Sequence, residues 1–471
     1  MVTLRTRRDI TLEAYRRVAW EGEGVEIAAE ALEQMAAAHR GFLALLESDP
    51  DLSVYMVTTG GGEWAKQRVS PEARDAPDRA KRFNLQLAFG EPLPERVTRG
   101  IVLARLANFL GGHAAADPSV AETVAAMLDG RSLPPVPRRG QGGSGEIIPL
   151  GHLFGPARGF ATEAKARNAL VNGSPCAAAL VADAVLAAER RLDVAADAFA
   201  LSIEAIRAPL ENYSSSLEAL WDDARETQAL QALRERLTGA GGERRSYQTP
   251  VSWRIVPRVL GQAHRAVGHA REVATTSLAA VTDNPVYVPP DADHPLGQTF
   301  STGGFHNSAA SPALDEMASS WADLCLLAER HCGHLFNHDV SLLPDKLVVG
   351  DAHLFYLNFV QLGIGEEVRR TVSPTLIPPS SGGFEQSDVA APSFFAWEGE
   401  QRAAGCFDAA MAILAAVGSQ ALFVTGREPP SGLSSFVGEV RRHFPPVVES
   451  RPLGADVDSL TGAFRERIYG S

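Results

Sequence analysis

The sequence predicts a mainly α protein: a long-helix bundle preceded by a loop-rich, mixed N-terminal domain. Three observations carry this. Residues 162–191, 195–238, 259–280, 309–336, 348–370 and 395–425 place apolar side chains at helical spacing with few breakers. Strand-like alternation is scarce along the same chain, as in an elongated helical bundle. Residues 132–145, by contrast, hold Pro134, Pro135 and Pro137 with Gly140, Gly142, Gly143 and Gly145, a composition that excludes a helix interior.

Taken in order, residues 26–48 space Ile27, Ala31, Leu32, Met35 and Phe42 as one helix face and stop at Asp49-Pro50. Residues 98–110 and 119–128 continue the pattern up to the loop. A polar joint at 239–246 interrupts the later helices, and no solenoid repeat is present. The expected division is an N-terminal domain, 1–195, and a bundle domain, 196–471.

At 471 residues the chain can bury a large core. Its formal charge of −13 disfavours nucleic acid and anionic membranes as partners, because like charges repel. Cys176, Cys325, Cys332 and Cys406 are too thinly spread for a disulfide framework, so a cytoplasmic location is expected. The arginine-rich N-terminus lacks a signal-peptide core. The alanine-rich residues 177–188, broken by Asp183, suit a buried helix better than a membrane span.

The chemistry is concentrated in Gly142-Gly143-Ser144-Gly145-Glu146-Ile147-Ile148-Pro149-Leu150-Gly151-His152. Alone, Gly-Ser-Gly is common in flexible loops. With its flank, the segment resembles the Gly-Ala-Ser-Gly-Asp-Leu-Ala-Pro-Leu-Ala-His signature of the aromatic amino acid ammonia-lyase superfamily. The resemblance implies a fumarase/aspartase-like helical bundle. It also implies a 4-methylidene-imidazol-5-one electrophile, formed when Gly143, Ser144 and Gly145 cyclise and lose two waters, with no external cofactor or metal. Closure needs a tight kink, which glycine permits. Gly143 replaces the family's alanine, Glu146 its aspartate, and the approach to the motif is one residue shorter.

Further segments follow in the family's order. Val54-Tyr55-Met56-Val57-Thr58-Thr59-Gly60-Gly61-Gly62 resembles Val-Tyr-Gly-Val-Asn-Thr-Gly-Phe-Gly, which makes Tyr55 the general base on a mobile lid. A phenol of ordinary pKa, near ~10, needs donors that stabilise phenolate. Ala169-Leu170-Val171-Asn172-Gly173-Ser174 resembles Ala-Leu-Leu-Asn-Gly-Thr, whose asparagine bonds near cofactor and amine. In Tyr247-Gln248-Thr249-Pro250-Val251-Ser252-Trp253-Arg254 the resemblance implies a site glutamine at Gln248 and a carboxylate clamp at Arg254, whose planar fork takes both oxygens. Val251 stands where the family has a tyrosine. Thr282-Asp283-Asn284-Pro285 is similar to Thr-Asp-Asn-Pro. Gly303-Gly304-Phe305-His306 is similar to Gly-Asn-Phe-His and sets Phe305 against the electrophile. Gln386, in Phe384-Glu385-Gln386-Ser387, falls on an active-site glutamate or glutamine. The substrate-selecting Ser-His pair has no counterpart in Asn84-Leu85-Gln86-Leu87-Ala88-Phe89, so histidine is not the expected substrate.

The implied activity is elimination of an amine from a small-molecule amino acid or amine by a homotetramer whose active sites are shared between subunits. Three alternatives stay open: an aminomutase that makes a β-amino acid, an enzyme specialised for an unusual amine, and a catalytically degenerate scaffold or binding protein. The nearest metal-type cluster, His331, Cys332, His334 and His338, follows the Glu329-Arg330 of a family helix segment, and no metal site is expected.

Overall fold

The computed structural model describes residues 1–74, 85–155, 161–375 and 387–470. Two compact units result, and neither is a continuous stretch of chain. The first combines Met1–Asp183, Ala270–Pro312 and Thr375–Trp397; the second combines Ala184–His269, Ala313–Pro374 and Glu398–Ser471. The expected single cut near residue 195 treats the units as consecutive. In the fold, two later segments return to the first unit, because long helices carry the chain out and back.

The first unit is built from short elements. Val2–Leu4 pairs in parallel with Val25–Ile27, so Glu26 and Ile27, expected in a helix, are strand. The helix itself spans Ala29–Ser48. Glu95–Arg105 and Pro118–Ala126 follow, the latter started by the Asp117 carboxylate on the Ser119 N–H with Pro118 in the first turn. Residues 137–139, expected as loop, form a strand against Phe89–Pro92. Val286–Val288 pairs antiparallel with Gln298–Phe300. The expected helix at 162–191 is two, Ala164–Val171 and Pro175–Ala205, broken at Asn172-Gly173-Ser174.

Around Phe42 and Tyr287, whose rings meet edge to face at 5.5 Å, pack Ala38, Val54, Val57 and Ala164. Val54 and Val57 are both buried, contributing roughly 1.5–3 kcal/mol each, and they pin the backbone on both sides of half-buried Tyr55.

Long helices make the second unit: the rest of Pro175–Ala205, then Ala224–Arg236, Ala310–Leu335, Leu357–Thr371, Ser393–Val424 and Gly454–Tyr469. The expected stretch at 195–238 is interrupted after Ala205 by short turns, and the one at 348–370 begins only at Leu357. Buried side-chain bonds join these helices. Arg191 pairs with Asp408 at 2.8 Å, Ser202 with His331 at 2.9 Å, and the Trp321 indole donates to Glu400 at 2.8 Å. Residues 177–188 are buried almost throughout, as a core helix requires.

Candidate functional site

A cavity of about 390 Å³ opens in the first unit, and Tyr55, Ser144, Asn172, Asn284, Thr302 and Phe305 are among the residues around it. Segments distant in sequence meet here. Each arrives by a local device that the sequence explains.

The Ser144 loop is folded back by its glycines, Gly143 at φ +95° and Gly145 at φ +65°, both in the left-handed region. Phe305 lies against Gly145, where an added Cβ would come within 3.4 Å of the ring, while Gly143 has open space. The Gly143 carbonyl accepts the Ala391 N–H at 3.0 Å. Directly after the tripeptide, Glu146 is buried and accepts the N–H groups of Cys176 at 2.5 Å and Ala177 at 2.7 Å, satisfying the first turn of Pro175–Ala205. Burial pushes its pKa up to about 7, against the pull of those two N–H donors. The acid beside the tripeptide therefore ties the loop to the helix that follows Asn172.

Tyr55 accepts the Gly62 N–H on its phenol oxygen at 3.0 Å, a donor of the kind a phenolate needs. Of the three positions at which its loop departs from the family pattern, Met56, Thr58 and Gly61, two are linked. Met56 stands where the family has glycine and takes φ +61°; Gly61 stands where the family has phenylalanine. The Met56 thioether fills the space beside Gly61, since a Cβ there would sit 1.9 Å from its sulfur. One side chain replaces the other from across the turn.

Asn172 follows Ala164–Val171, and Gly173 (φ +117°) packs where a Cβ would meet the Arg105 guanidinium at 2.6 Å and the Thr282 hydroxyl at 2.8 Å. Arg105, almost fully buried, donates to the carbonyls of Ala169 and Asn172. Burial lowers its pKa, opposed by the charges of Asp283 and Glu146. The Asn172 amide donates to the Asn284 carbonyl at 3.0 Å, which among the described residues leaves its Oδ1 as the group free to accept. Asn284 is oriented the opposite way. Its Oδ1 accepts from the Ser301 hydroxyl at 3.1 Å and the Thr302 N–H at 2.9 Å, so its NH2 is the remaining donor. Because backbone groups are the partners, neither amide can be flipped. Beneath them Lys165 and Asp283 form an ion pair at 2.6 Å with both side chains out of water, and Asn168 donates to the Asn284 carbonyl at 2.7 Å.

The structure thus brings Tyr55, Ser144, Asn172 and Phe305 to one cavity. Gln248 and Arg254 belong to the second unit, where Gln248 is exposed and Arg254 donates to the Thr249 carbonyl at 3.2 Å. Gln386 and Asn84 lie outside the described residues. Of the metal-type cluster, His331 is buried and stacks on Trp253 at 4.0 Å, while His338 bonds the Leu343 carbonyl. His152 accepts the Ala88 N–H at 3.0 Å. In the sequence Asn284 and Gly62 stand in motifs that give no hint of their hydrogen-bonding roles, and nothing marks Thr302 or Ala391. Arg105, the charge within the apolar run of residues 101–110, was the available signal for the buried polar layer.

Comparison with known proteins agrees with this architecture. The profile of the aromatic amino acid lyase family matches residues 10–167 and 158–442. A histidine ammonia-lyase of Deinococcus radiodurans is 30% identical over 72% of this chain and 69% of its own length. Another, from Symbiobacterium thermophilum, is 27% identical over 96% and 94%. Among solved structures, Treponema denticola ergothionase superposes with a TM-score of 0.90 at 18% identity over 99% of each chain. Pantoea agglomerans phenylalanine aminomutase does so at 0.87 and 18% over 98% of each. At these identities the structures establish the fold alone. The chain belongs to the aromatic amino acid lyase family, and is an enzyme of the carbon–nitrogen lyase class.

Proposed function

We propose that this protein eliminates the amine of a small amino acid, using an electrophile formed from Gly143, Ser144 and Gly145. The observation that carries the reading is the convergence of Ser144, Tyr55 and Asn172 on one cavity. The residues fit the ring: both glycines are turned back, the Gly143 side has open space, and Phe305 covers Gly145. When formed, the ring supplies an electrophilic carbon to the substrate amine. Tyr55 takes the proton from the carbon next to the one bearing nitrogen, aided by the Gly62 N–H on its oxygen. Asn172 accepts a hydrogen bond from the amine through Oδ1, and Asn284 offers its NH2 to an acceptor on the substrate.

Gln248 and Arg254 are proposed to reach a neighbouring subunit's site in a homotetramer, Arg254 holding the carboxylate. The exposed surface of the second unit at Tyr247, Val251, Tyr356 and Phe359 supports such an assembly, which sedimentation would read directly. Four buried, free cysteines suit a reducing cytoplasm.

Intact mass tests the electrophile: the expected protein is lighter than its sequence by two waters, mapped to Gly143-Ser144-Gly145, and Ser144→Ala is not. A full-mass wild type would refute the reading. Tyr55→Phe should lose about 10²–10⁴-fold in turnover with its mass deficit kept; unchanged turnover rules out Tyr55 as the base. Product analysis separates an unsaturated acid from the β-amino acid of a mutase.

A further inference from the structure

We infer that the backbone N–H of Ala391 is the oxyanion donor for maturation of the tripeptide, an inference that rests on the electrophile reading above. In the first step the Gly145 nitrogen forms a bond to the carbonyl carbon of Gly143. The C=O electron pair moves onto oxygen, which takes up the Gly145 amide proton. That oxygen then leaves as water with the Ser144 amide proton, and a second water takes the Ser144 hydroxyl and Cα proton. No oxidant or co-reactant is consumed. An amide carbonyl is a poor electrophile, so the costly moment is charge development on the Gly143 oxygen. A fixed donor aimed at that atom lowers this barrier without reorganising.

The structure supplies one there, since Ala391 N–H meets the Gly143 oxygen at 3.0 Å. The donor's surroundings hold it in place. Ala391 precedes Pro392, which restricts it to extended backbone. It stands between cavity-lining Ser387 and the helix Ser393–Val424, whose first turn includes the Ala396 N–H bonded to the Pro392 carbonyl. Ala391 therefore lies outside the helical ladder, and its N–H is given to the tripeptide. Because the donor and Ser144 lie far apart in sequence, it reaches the loop only after the first unit has assembled. Maturation should accordingly wait on folding.

The test replaces Ala391 by lactic acid through nonsense suppression, which exchanges the N–H for an ester oxygen and keeps the methyl side chain. Ala391→Pro removes the same N–H genetically, and Ala391→Gly retains it. Full-length chains are made by cell-free synthesis; intact mass follows loss of two waters with time, and far-UV circular dichroism reads folding separately. The expected result is a folded ester protein that matures roughly 10²–10³-fold more slowly than wild type, with Ala391→Gly near normal. A folded ester protein that matures at the wild-type rate overturns the inference and leaves the electrophile reading standing. A wild-type chain that never loses two waters removes both.

Discussion

In the first unit the buried polar groups converge. Arg105, Lys165, Asp283, Glu146 and the two asparagines share partners within one layer beside the cavity. In the second unit they tie the helices of the bundle to one another: Arg191 with Asp408 and Tyr469, Ser202 with His331 and Trp253, Trp321 with Glu400. The difference teaches what each arrangement is for. In a bundle such bonds serve to join one helix to the next. A site needs matches that leave chosen atoms unspent, such as Asn172 Oδ1 and the Asn284 NH2, and a shared layer can enforce that orientation.

Breaking one buried ion pair in each unit tests this most strongly. Asp283→Asn and Asp408→Asn should each lose about 3–5 kcal/mol in a urea titration, because each strands a buried cation. Only Asp283→Asn should also lower turnover per folded molecule. Equal activity in the two variants would end the distinction.

One buried group in each unit gives an opposite pH signature. Glu146, raised from 4.5 to about 7, binds its proton more tightly folded than unfolded. Its stabilisation is complete below pH 4.5 and is lost as pH rises through about 7. His331, lowered by burial from 6.5 to about 3, contributes stability above pH 6.5 that is lost as pH falls through about 3. The first amounts to about 3 kcal/mol and the second to about 5 kcal/mol. Stability profiles of Glu146→Gln and His331→Gln should lose slopes of opposite sign, and parallel profiles would contradict the assignment.

Smaller effects sharpen the account of the site loops. Gly61→Phe alone should clash with Met56, whereas Met56→Gly combined with Gly61→Phe should recover, giving a coupling of about 1–3 kcal/mol in a double-mutant cycle. Additive effects would separate the two positions. The smallest change is Gly143→Ala. Space is open there, so only the left-handed backbone resists, at about 1 kcal/mol, and the two-water deficit should persist in its mass spectrum.

Much of this was legible in the chain itself. Helical spacing announced the long helices, and Gly143-Ser144-Gly145 with its flank announced the family, because periodicity and a local motif are properties that a sequence displays. Tyr55, Asn172 and Phe305 were readable as members of ordered motifs. Other features depended on through-space partners. That residues 270–312 and 375–397 rejoin the first unit, that Glu146 caps Pro175–Ala205, and that the asparagines present opposite ends to the cavity were decided by tertiary structure. So was the meeting of Ala391 with Gly143. A hydrogen bond depends on distance and direction between atoms, and for residues far apart in the chain only the packed fold sets either one.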